Sequence, residues 1–398
     1  MNAPSLSDFV NVDTIAALRR PTKQAKGLPR VVYTNPDFFR LEQTALFPKH
    51  WMAVAYAHEV PEAGDAIPLT VLGLPVMLVR GADGTIWAFH NVCRHRGTVL
   101  LRQPQKRGHT LRCLYHSWTW DLKGELRARP LWDGREERTE ECLVPIRCGV
   151  FAGFVFLNLS GDAPPLEESF GYVSRRWKIY DFDAFVPYAT QEWTVKTNWK
   201  LFALGVVEAY HEPFVHPQII GTRMDEATGA KVPDNDTFVS CLERNCIGLV
   251  TPAQDRGYCV TGRLPLLPGP AAGVDYSTDI FLLFPTAVVT LMKDQMTTMV
   301  CAPLSVDEMK VKVAFYTARE ATKNAEYADA VHDLWSRWVE ITEQDIEALE
   351  AQQIGHASPV ADDAKFSPFW EATALYFEQR VVEELTKVCD RPRSFQVR

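Results

Sequence analysis

Four potential metal ligands fall within one short stretch of this chain, and they constrain it more than any other feature. Cys93 and His95 lie in NVCRHRG, and Cys113 and His116 lie in LRCLYHSW, giving the spacing C-x-H-x17-C-x2-H. Each half presents one thiolate and one imidazole in a polar, turn-like context that follows a predicted strand. Ligands paired on two hairpin-like loops can converge on one centre. Two Cys plus two His suit either tetrahedral zinc or a [2Fe-2S] cluster with two imidazoles on one of its irons. Zinc sites more often pair their ligands as C-x2-C or H-x3-H, so the alternating Cys and His order favours the cluster.

The chain has 398 residues and nine Cys. The cysteine count is odd and lacks the density of a secreted disulfide scaffold, so reduced thiols or metal ligands are expected. Cys142, Cys148, Cys241, Cys246, Cys259, Cys301 and Cys389 have no partner at tight spacing and read as small buried hydrophobes. With 46% apolar and 23% charged residues there is material for a large core. A net charge of -8 argues against nucleic-acid binding, which needs clustered Lys and Arg, and leaves a small molecule or a protein as the expected partner. No apolar run reaches the roughly 18 residues of a membrane span, and MNAPSLSDFVNVDTIAALRR does not resemble a secretory signal, so a cytoplasmic location is expected.

The length exceeds one usual core, so two domains are expected. From about Trp51 to Leu159 the sequence reads as short strands, namely WMAVAYA, AIPLTVLG, PVMLVRG, TIWAFHNV, HTLRCLY, WTWDLKGEL and GVFAGFVFLNL, with turn signals such as GADG between them. Helical patterning follows at about Leu166 to Tyr180 and again from Trp199 to His211. A second strand set comprises QEWTVKTN, TFVSCLERNCIGLVTP, YCVTGRLPL, TDIFLLFPTAVVTLM, QMTTMVCAPLS and MKVKVAFYTA. The tail from about Asn324 to Thr386 is helical again. The fold class expected is α+β: an all-β domain over 45–163, and a second domain from 1–44 and 164–398 with an antiparallel sheet flanked by helices.

A second constellation lies in NWKLFALGVVEAYHEPFVHP, read as a helix running to about His211 and broken near Pro213. His211 and His216 then stand at the mouth of a site. Non-haem iron that activates O2 wants two imidazoles and one carboxylate on one face. ITEQDIEALEAQQIG offers Glu343, Asp345, Glu347 and Glu350, and on sequence alone all four are acceptable as a solvated helix face.

CRHRG followed by CLYHSW resembles the C-x-H-R-G and C-P-Y-H-G-W signatures of Rieske ring-hydroxylating oxygenase α subunits. Leu114 stands where that family usually has Pro, and Ser117 where it has Gly. NWK at Asn198 to Lys200 and E-x-Y-H at Glu208 to His211 also match, and the similarity covers nearly the whole chain. The resemblance implies a Rieske [2Fe-2S] cluster on Cys93, His95, Cys113 and His116, and a mononuclear Fe(II) on His211, His216 and Asp345. Among the four acids it selects Asp345, because an Asp followed by an acid and a Gln-Gly on a late helix is similar to Asp345, Glu350 and Gln353. It gives Glu208 a catalytic role, linking His211 to His116 of a neighbouring subunit in a head-to-tail homotrimer, with or without a small β subunit. Leu204 and Gly205 replace the Glu-Asn of many relatives, which implies a more apolar approach to the iron.

The activity implied is O2-dependent hydroxylation, dihydroxylation or oxidative demethylation. No G-x-G-x-x-G follows a strand, so a separate NAD(P)H-dependent reductase, with or without a ferredoxin, must supply the electrons. Phe202, Leu204, Val206, Val207, Phe214, Met292 and Met296 are candidates for an apolar pocket, which favours an aromatic or other hydrophobic substrate and aromatic hydrocarbon catabolism. The second reading is a quaternary ammonium or N-methyl substrate, with Trp193, Trp199, Phe202 and Tyr210 as candidates for a cage around the cation. A zinc-binding or electron-carrier protein is the non-enzyme alternative, and it has no use for His211, His216 and Asp345.

Overall fold

The computed structural model describes residues 4–132, 141–217, 222–224, 231–233, 238–252, 263–269 and 277–389. The chain divides into two compact units, Pro48–Leu166 and Met1–Phe47 with Glu167–Arg398.

The smaller unit is all β. Its strands are β1 (Met52–Tyr56), β2 (Ala66–Val71), β3 (Leu74–Arg80), β4 (Ile86–His90), β5 (Leu111–Arg112), β6 (Thr119–Trp120), β7 (Leu126–Ala128), β8 (Pro145–Phe151) and β9 (Phe154–Asn158). They form an antiparallel sheet in the order β1-β9-β8-β4-β3-β2 and a small one in the order β5-β6-β7. GVFAGFVFLNL, read as one strand, is a hairpin, because Ala152 and Gly153 both take positive φ (48° and 82°) in the two-residue turn that joins β8 to β9. WTWDLKGEL likewise folds back on itself, with Asp121 accepting the Lys123 and Glu125 N–H groups between β6 and β7. Met77, Val79, Phe89, Leu111, Trp118 and Trp120 form a core that also takes in Cys93 and Cys113.

The larger unit is built on a seven-stranded antiparallel sheet. Its strands are β10 (Phe185–Val195), β13 (Val239–Glu243), β14 (Cys246–Pro252), β15 (Ser277–Leu283), β16 (Ala287–Leu291), β17 (Gln295–Pro303) and β18 (Met309–Ala318), while β11 (Thr222–Met224) and β12 (Lys231–Pro233) form a separate hairpin. The order is β10-β18-β17-β16-β15-β14-β13. All of β16 and nearly all of β17 is buried, so side chains on both faces of the sheet are covered. Four helices matter for the site: α1 (Trp199–Val206), α2 (Glu212–Val215), α3 (Ala328–Gly355) and α4 (Ala372–Cys389).

Two further expectations for local structure are corrected. The helix expected to reach His211 ends at Val206, because the Glu208 carboxylate takes the backbone N–H groups of Tyr210 and His211 that another helical turn would have used. Of the strand expected in YCVTGRLPL, the first five residues lie outside the described residues, and Arg263–Gly269 is irregular. There the N–H groups of Arg263 and Leu264 bind the Asp294 carboxylate instead of a neighbouring strand.

Candidate functional site

The four cluster candidates sit on two loops with the same backbone bonding. The Cys93 N–H donates to Thr98 O (2.7 Å) and the Gly97 N–H donates back to Cys93 O (3.0 Å). Cys113 repeats this with Trp118 O (2.8 Å) and Ser117 N (3.0 Å). In both loops the fourth residue after the Cys takes positive φ, Gly97 at 76° and Ser117 at 59°. The loops bring the Cys93 and Cys113 thiols within hydrogen-bonding reach and place the His95 and His116 rings 4.7 Å apart. Burial raises the Cys93 thiol pKa, against the acidifying backbone N–H groups of His95 and Arg96 that point at its sulfur. The His95 ring stacks on Trp118 at 4.8 Å and meets Trp132 edge-on at 6.1 Å. Arg129, fixed by Glu141 at 2.8 Å, lies over the Trp132 ring at 5.2 Å.

His211, His216 and Asp345 are brought together in the larger unit, with ligand atoms within 4.8 Å of one another. The Nε2 atoms of His211 and His216 lie 3.4 and 2.9 Å from the same Asp345 oxygen. Each ring is turned by a second partner on Nδ1: Glu208 at 2.6 Å for His211, and Gln344 at 2.8 Å for His216. Burial works against charge on His211, but the bonds to Asp345 and Glu208 outweigh it and hold its pKa well above the ordinary imidazole value. His216 is raised by the same contest between burial and Asp345. Burial would also raise the Asp345 carboxyl, yet its two imidazole neighbours bring it below the usual range.

α3 explains why Asp345 rather than its neighbours is presented inward. Val331, Leu334, Trp338, Ile341 and Leu349 are its buried stripe, and Asp345 stands in phase between Ile341 and Leu349. Glu343 and Glu347 point outward and are exposed. Glu350 and Gln353 instead accept the backbone N–H groups of Lys196 (2.8 Å) and Asn198 (2.9 Å), fixing the turn that starts α1. Gln344 was not singled out by sequence reasoning, and an amide one residue before the in-phase acid was its available signal.

Two cavities meet at these ligands. One, of about 70 Å³, is mostly apolar and lined by Ile280, Val288, Thr290, Met299, Trp338 and Ile341, with Glu208 and Glu212 contributing carboxylates. The other, of about 350 Å³, approaches Glu208, His211 and Asp345 past Leu204, His356, Glu371 and Glu378. Of the pocket candidates read from sequence, Val206 lines the first cavity and Leu204 the second. Phe202, Val207, Met292 and Met296 are core, and Phe214 is exposed. The proposed aromatic cage is not assembled: Trp199 and Phe202 are buried in the core, Tyr210 is exposed, and Trp193 donates to Glu343 on the outside of α3. Trp338 is the aromatic ring that faces the first cavity.

Residues 176–387, more than half of the chain, match the family described as ring hydroxylating alpha subunit (catalytic domain). The chain belongs to that family. Residues 50–137 of this ring-hydroxylating α subunit match the Rieske [2Fe-2S] domain. It is 30% identical over 218 residues to the glycine betaine monooxygenase oxygenase subunit of Chromohalobacter salexigens, covering 54% of this chain and 48% of that protein. It is 31% identical over 217 residues to the carnitine monooxygenase oxygenase subunit of Escherichia coli K12, covering 53% and 56%. In these matches the chain spans about half the length of its relatives. A glycine betaine monooxygenase oxygenase subunit of Pseudomonas aeruginosa aligns at 24% identity over 91% of this chain and 90% of that one. The fold matches that of a quaternary ammonium Rieske monooxygenase (TM-score 0.76, 22% identity, 96% and 100% of the chains). It also matches naphthalene 1,2-dioxygenase from Rhodococcus sp. (TM-score 0.74, 18% identity, 92% and 95%).

The side chains fit the two iron centres that this family implies. His95 Nδ1 is buried without a hydrogen-bond partner among the described residues, beside the buried Cys93 and Cys113 thiols, which fits a set of cluster ligands. The two Nε2 atoms aimed at one carboxylate oxygen form a set of two imidazoles and one carboxylate, and their outer nitrogens are already oriented by Glu208 and Gln344. No helix among the described residues is long and apolar enough to cross a membrane.

Proposed function

We propose that this α subunit is the oxygenase component of a Rieske monooxygenase acting on a small quaternary ammonium or N-methyl compound. Cys93, His95, Cys113 and His116 would hold the cluster, which would supply electrons drawn from a separate NAD(P)H-dependent reductase, with or without a ferredoxin. His211, His216 and Asp345 would hold the iron, which would supply the O2 chemistry. Overall, one oxygen atom enters a substrate C–H bond and the other leaves as water, at the cost of two electrons and two protons. The observation that carries this reading is the convergence of His211 Nε2 and His216 Nε2 on one Asp345 oxygen beside an apolar cavity.

The substrate class rests on the relatives named for glycine betaine and carnitine oxidation, and on the cavity itself. Glu208, Glu212 and Trp338 line this mostly apolar cavity, and acids beside an aromatic side chain suit a methylated cation. The first expectation, an aromatic hydrocarbon and dioxygenation, has no such support and gives way to the second.

Glu208 holds His211 Nδ1 and lies at the rim of the site, where it can join a partner subunit's cluster histidine in a head-to-tail homotrimer. Exposed apolar residues flank both ends of that link: Leu114 and Tyr115 precede His116, and Tyr210 and Phe214 bracket His211.

Metal and sulfide analysis of anaerobically purified protein tests the reading. About three irons and about two sulfides per chain are expected, falling to about two irons in His211→Ala with the cluster spectrum intact. Substrate-dependent O2 uptake with glycine betaine, carnitine and an aromatic hydrocarbon then tests the substrate class. Zinc in place of iron sinks the oxygenase reading, and uptake only with the hydrocarbon reverses the substrate assignment.

A further inference from the structure

We propose that the larger cavity is the proton entry route to the iron site, with His356, Tyr33 and Glu378 as its relay. The inference rests on the oxygenase reading, in which protons must reach the iron site from solvent at every turnover. The two cavities share Gly205, Glu208, His211 and Asp345 and otherwise differ in chemistry. An apolar space suits substrate but conducts protons poorly. A cavity of about 350 Å³ whose mixed lining includes Gln352, His356, Lys365, Glu371 and Glu378 has room for a chain of waters. Its lining includes the exposed Gln352 and Lys365 as well as the ligands His211 and Asp345, so it runs from solvent to the iron site.

Two buried side chains of its lining carry groups that can pass a proton. His356 is 8% exposed, lines this cavity, and has a buried Nδ1 with no hydrogen-bond partner among the described residues. An unpartnered imidazole nitrogen on a residue that lines a cavity is a place for water and for a proton in transit. The His356 ring packs on Tyr33 at 4.7 Å, and the Tyr33 hydroxyl donates to Glu378 Oε1 at 2.6 Å. Glu378 is the second: it is 3% exposed, and its other oxygen accepts the Leu28 N–H at 2.7 Å.

The groups facing Glu378 allow it to change charge near neutrality. Burial raises its pKa to about 7, against the lowering effect of the Tyr33 hydroxyl, the Leu28 N–H and the Lys200 ammonium. Lys200 is itself committed to Glu42 at 2.7 Å. Burial lowers the His356 pKa, with Asp362 pulling the other way, so this imidazole is neutral at neutral pH and free to accept and pass on a proton. Lys365 and Glu371 are the remaining titratable groups of the lining outside the iron site.

Glu378→Gln and His356→Phe test the relay in the intact enzyme. Glutamine keeps an acceptor for Leu28 and a partner for Tyr33, and phenylalanine keeps the stack. Infrared titration of the wild type should show a buried carboxylic acid band lost near pH 7, absent from Glu378→Gln. Pre-reduced enzyme mixed with O2 and a pH-indicator dye should take up protons about tenfold more slowly in either variant at pH 8, with a smaller deficit at pH 6. Cluster reduction rate and iron content should be unchanged. Wild-type proton uptake in both variants overturns the relay while leaving the oxygenase reading intact, as does a pH-independent deficit accompanied by iron loss. No O2-driven proton uptake by the wild type overturns both.

Discussion

The two candidate iron sites are built on opposite principles. Cys93, His95, Cys113 and His116 belong to two short loops of one small unit, each closed by its own backbone bonds. His211, His216 and Asp345 come from a loop after α1 and from the middle of α3, more than a hundred residues apart in sequence. A site of the first kind depends on spacing and turn geometry, and one of the second on the packing of a whole unit. If that contrast is right, the sites fail separately. Cys113→Ser should remove the cluster spectrum and sulfide while leaving about one iron per chain, and Asp345→Ala should remove about one iron and all substrate oxidation while leaving the spectrum. Parallel metal analysis and absorption spectra check this, and loss of both centres in either variant would break the comparison.

The same contrast decides what could be read in advance. The all-β unit was legible because turn residues such as those of Asp121–Gly124 punctuate it, although Ala152-Gly153 splits a segment that was read as a single strand. The seven-stranded sheet was legible as a set of strands but not in its order, which no local pattern encodes. Asp345 was picked out from Glu343, Glu347 and Glu350 only by family resemblance, yet its phase with Trp338, Ile341 and Leu349 carries the same information. The end of α1 at Val206 was missed because it depends on where one carboxylate, Glu208, spends its hydrogen bonds. The cage aromatics were misplaced because nothing local says which face of an element looks into a cavity. Trp338 was hidden among the core positions of α3.

Long-range construction also makes the larger unit sensitive to pH. Glu378 on α4 ties down Leu28 and Tyr33 from the far end of the chain, and burial raises its pKa from 4.5 to about 7. In that window the folded chain holds a proton that the unfolded chain has released, so stability falls as pH rises. The contribution is full below pH 4.5, is lost as pH climbs through 7, and amounts to roughly 3 kcal/mol over the window. Denaturant titrations of wild type and Glu378→Gln between pH 5 and 8 check this. The expected outcome is that the variant is flatter and becomes the more stable of the two toward pH 8. Parallel curves would mean that Glu378 stays in one state and that the larger unit has no such liability.

The smallest effect belongs to the local site and tests the equivalence of its two loops. Gly97 and Ser117 occupy the same position after their Cys, donate the same backbone bond, and share positive φ (76° and 59°). For serine that conformation costs about 1 kcal/mol, whereas glycine adopts it freely. The Ser117 hydroxyl accepts from Arg112 at 2.8 Å, an exposed contact worth little. Glycine in turn adds freedom to the unfolded chain and gives back part of the gain. Ser117→Gly should therefore stabilise the small unit by about 0.5 kcal/mol, and Gly97→Ser should destabilise it by about 1 kcal/mol. Thermal unfolding followed at the cluster absorption band reads both. Opposite signs establish that the loops impose one backbone geometry on two different sequences. Equal signs would mean that the hydroxyl at Ser117, rather than the backbone, sets the stability of its loop.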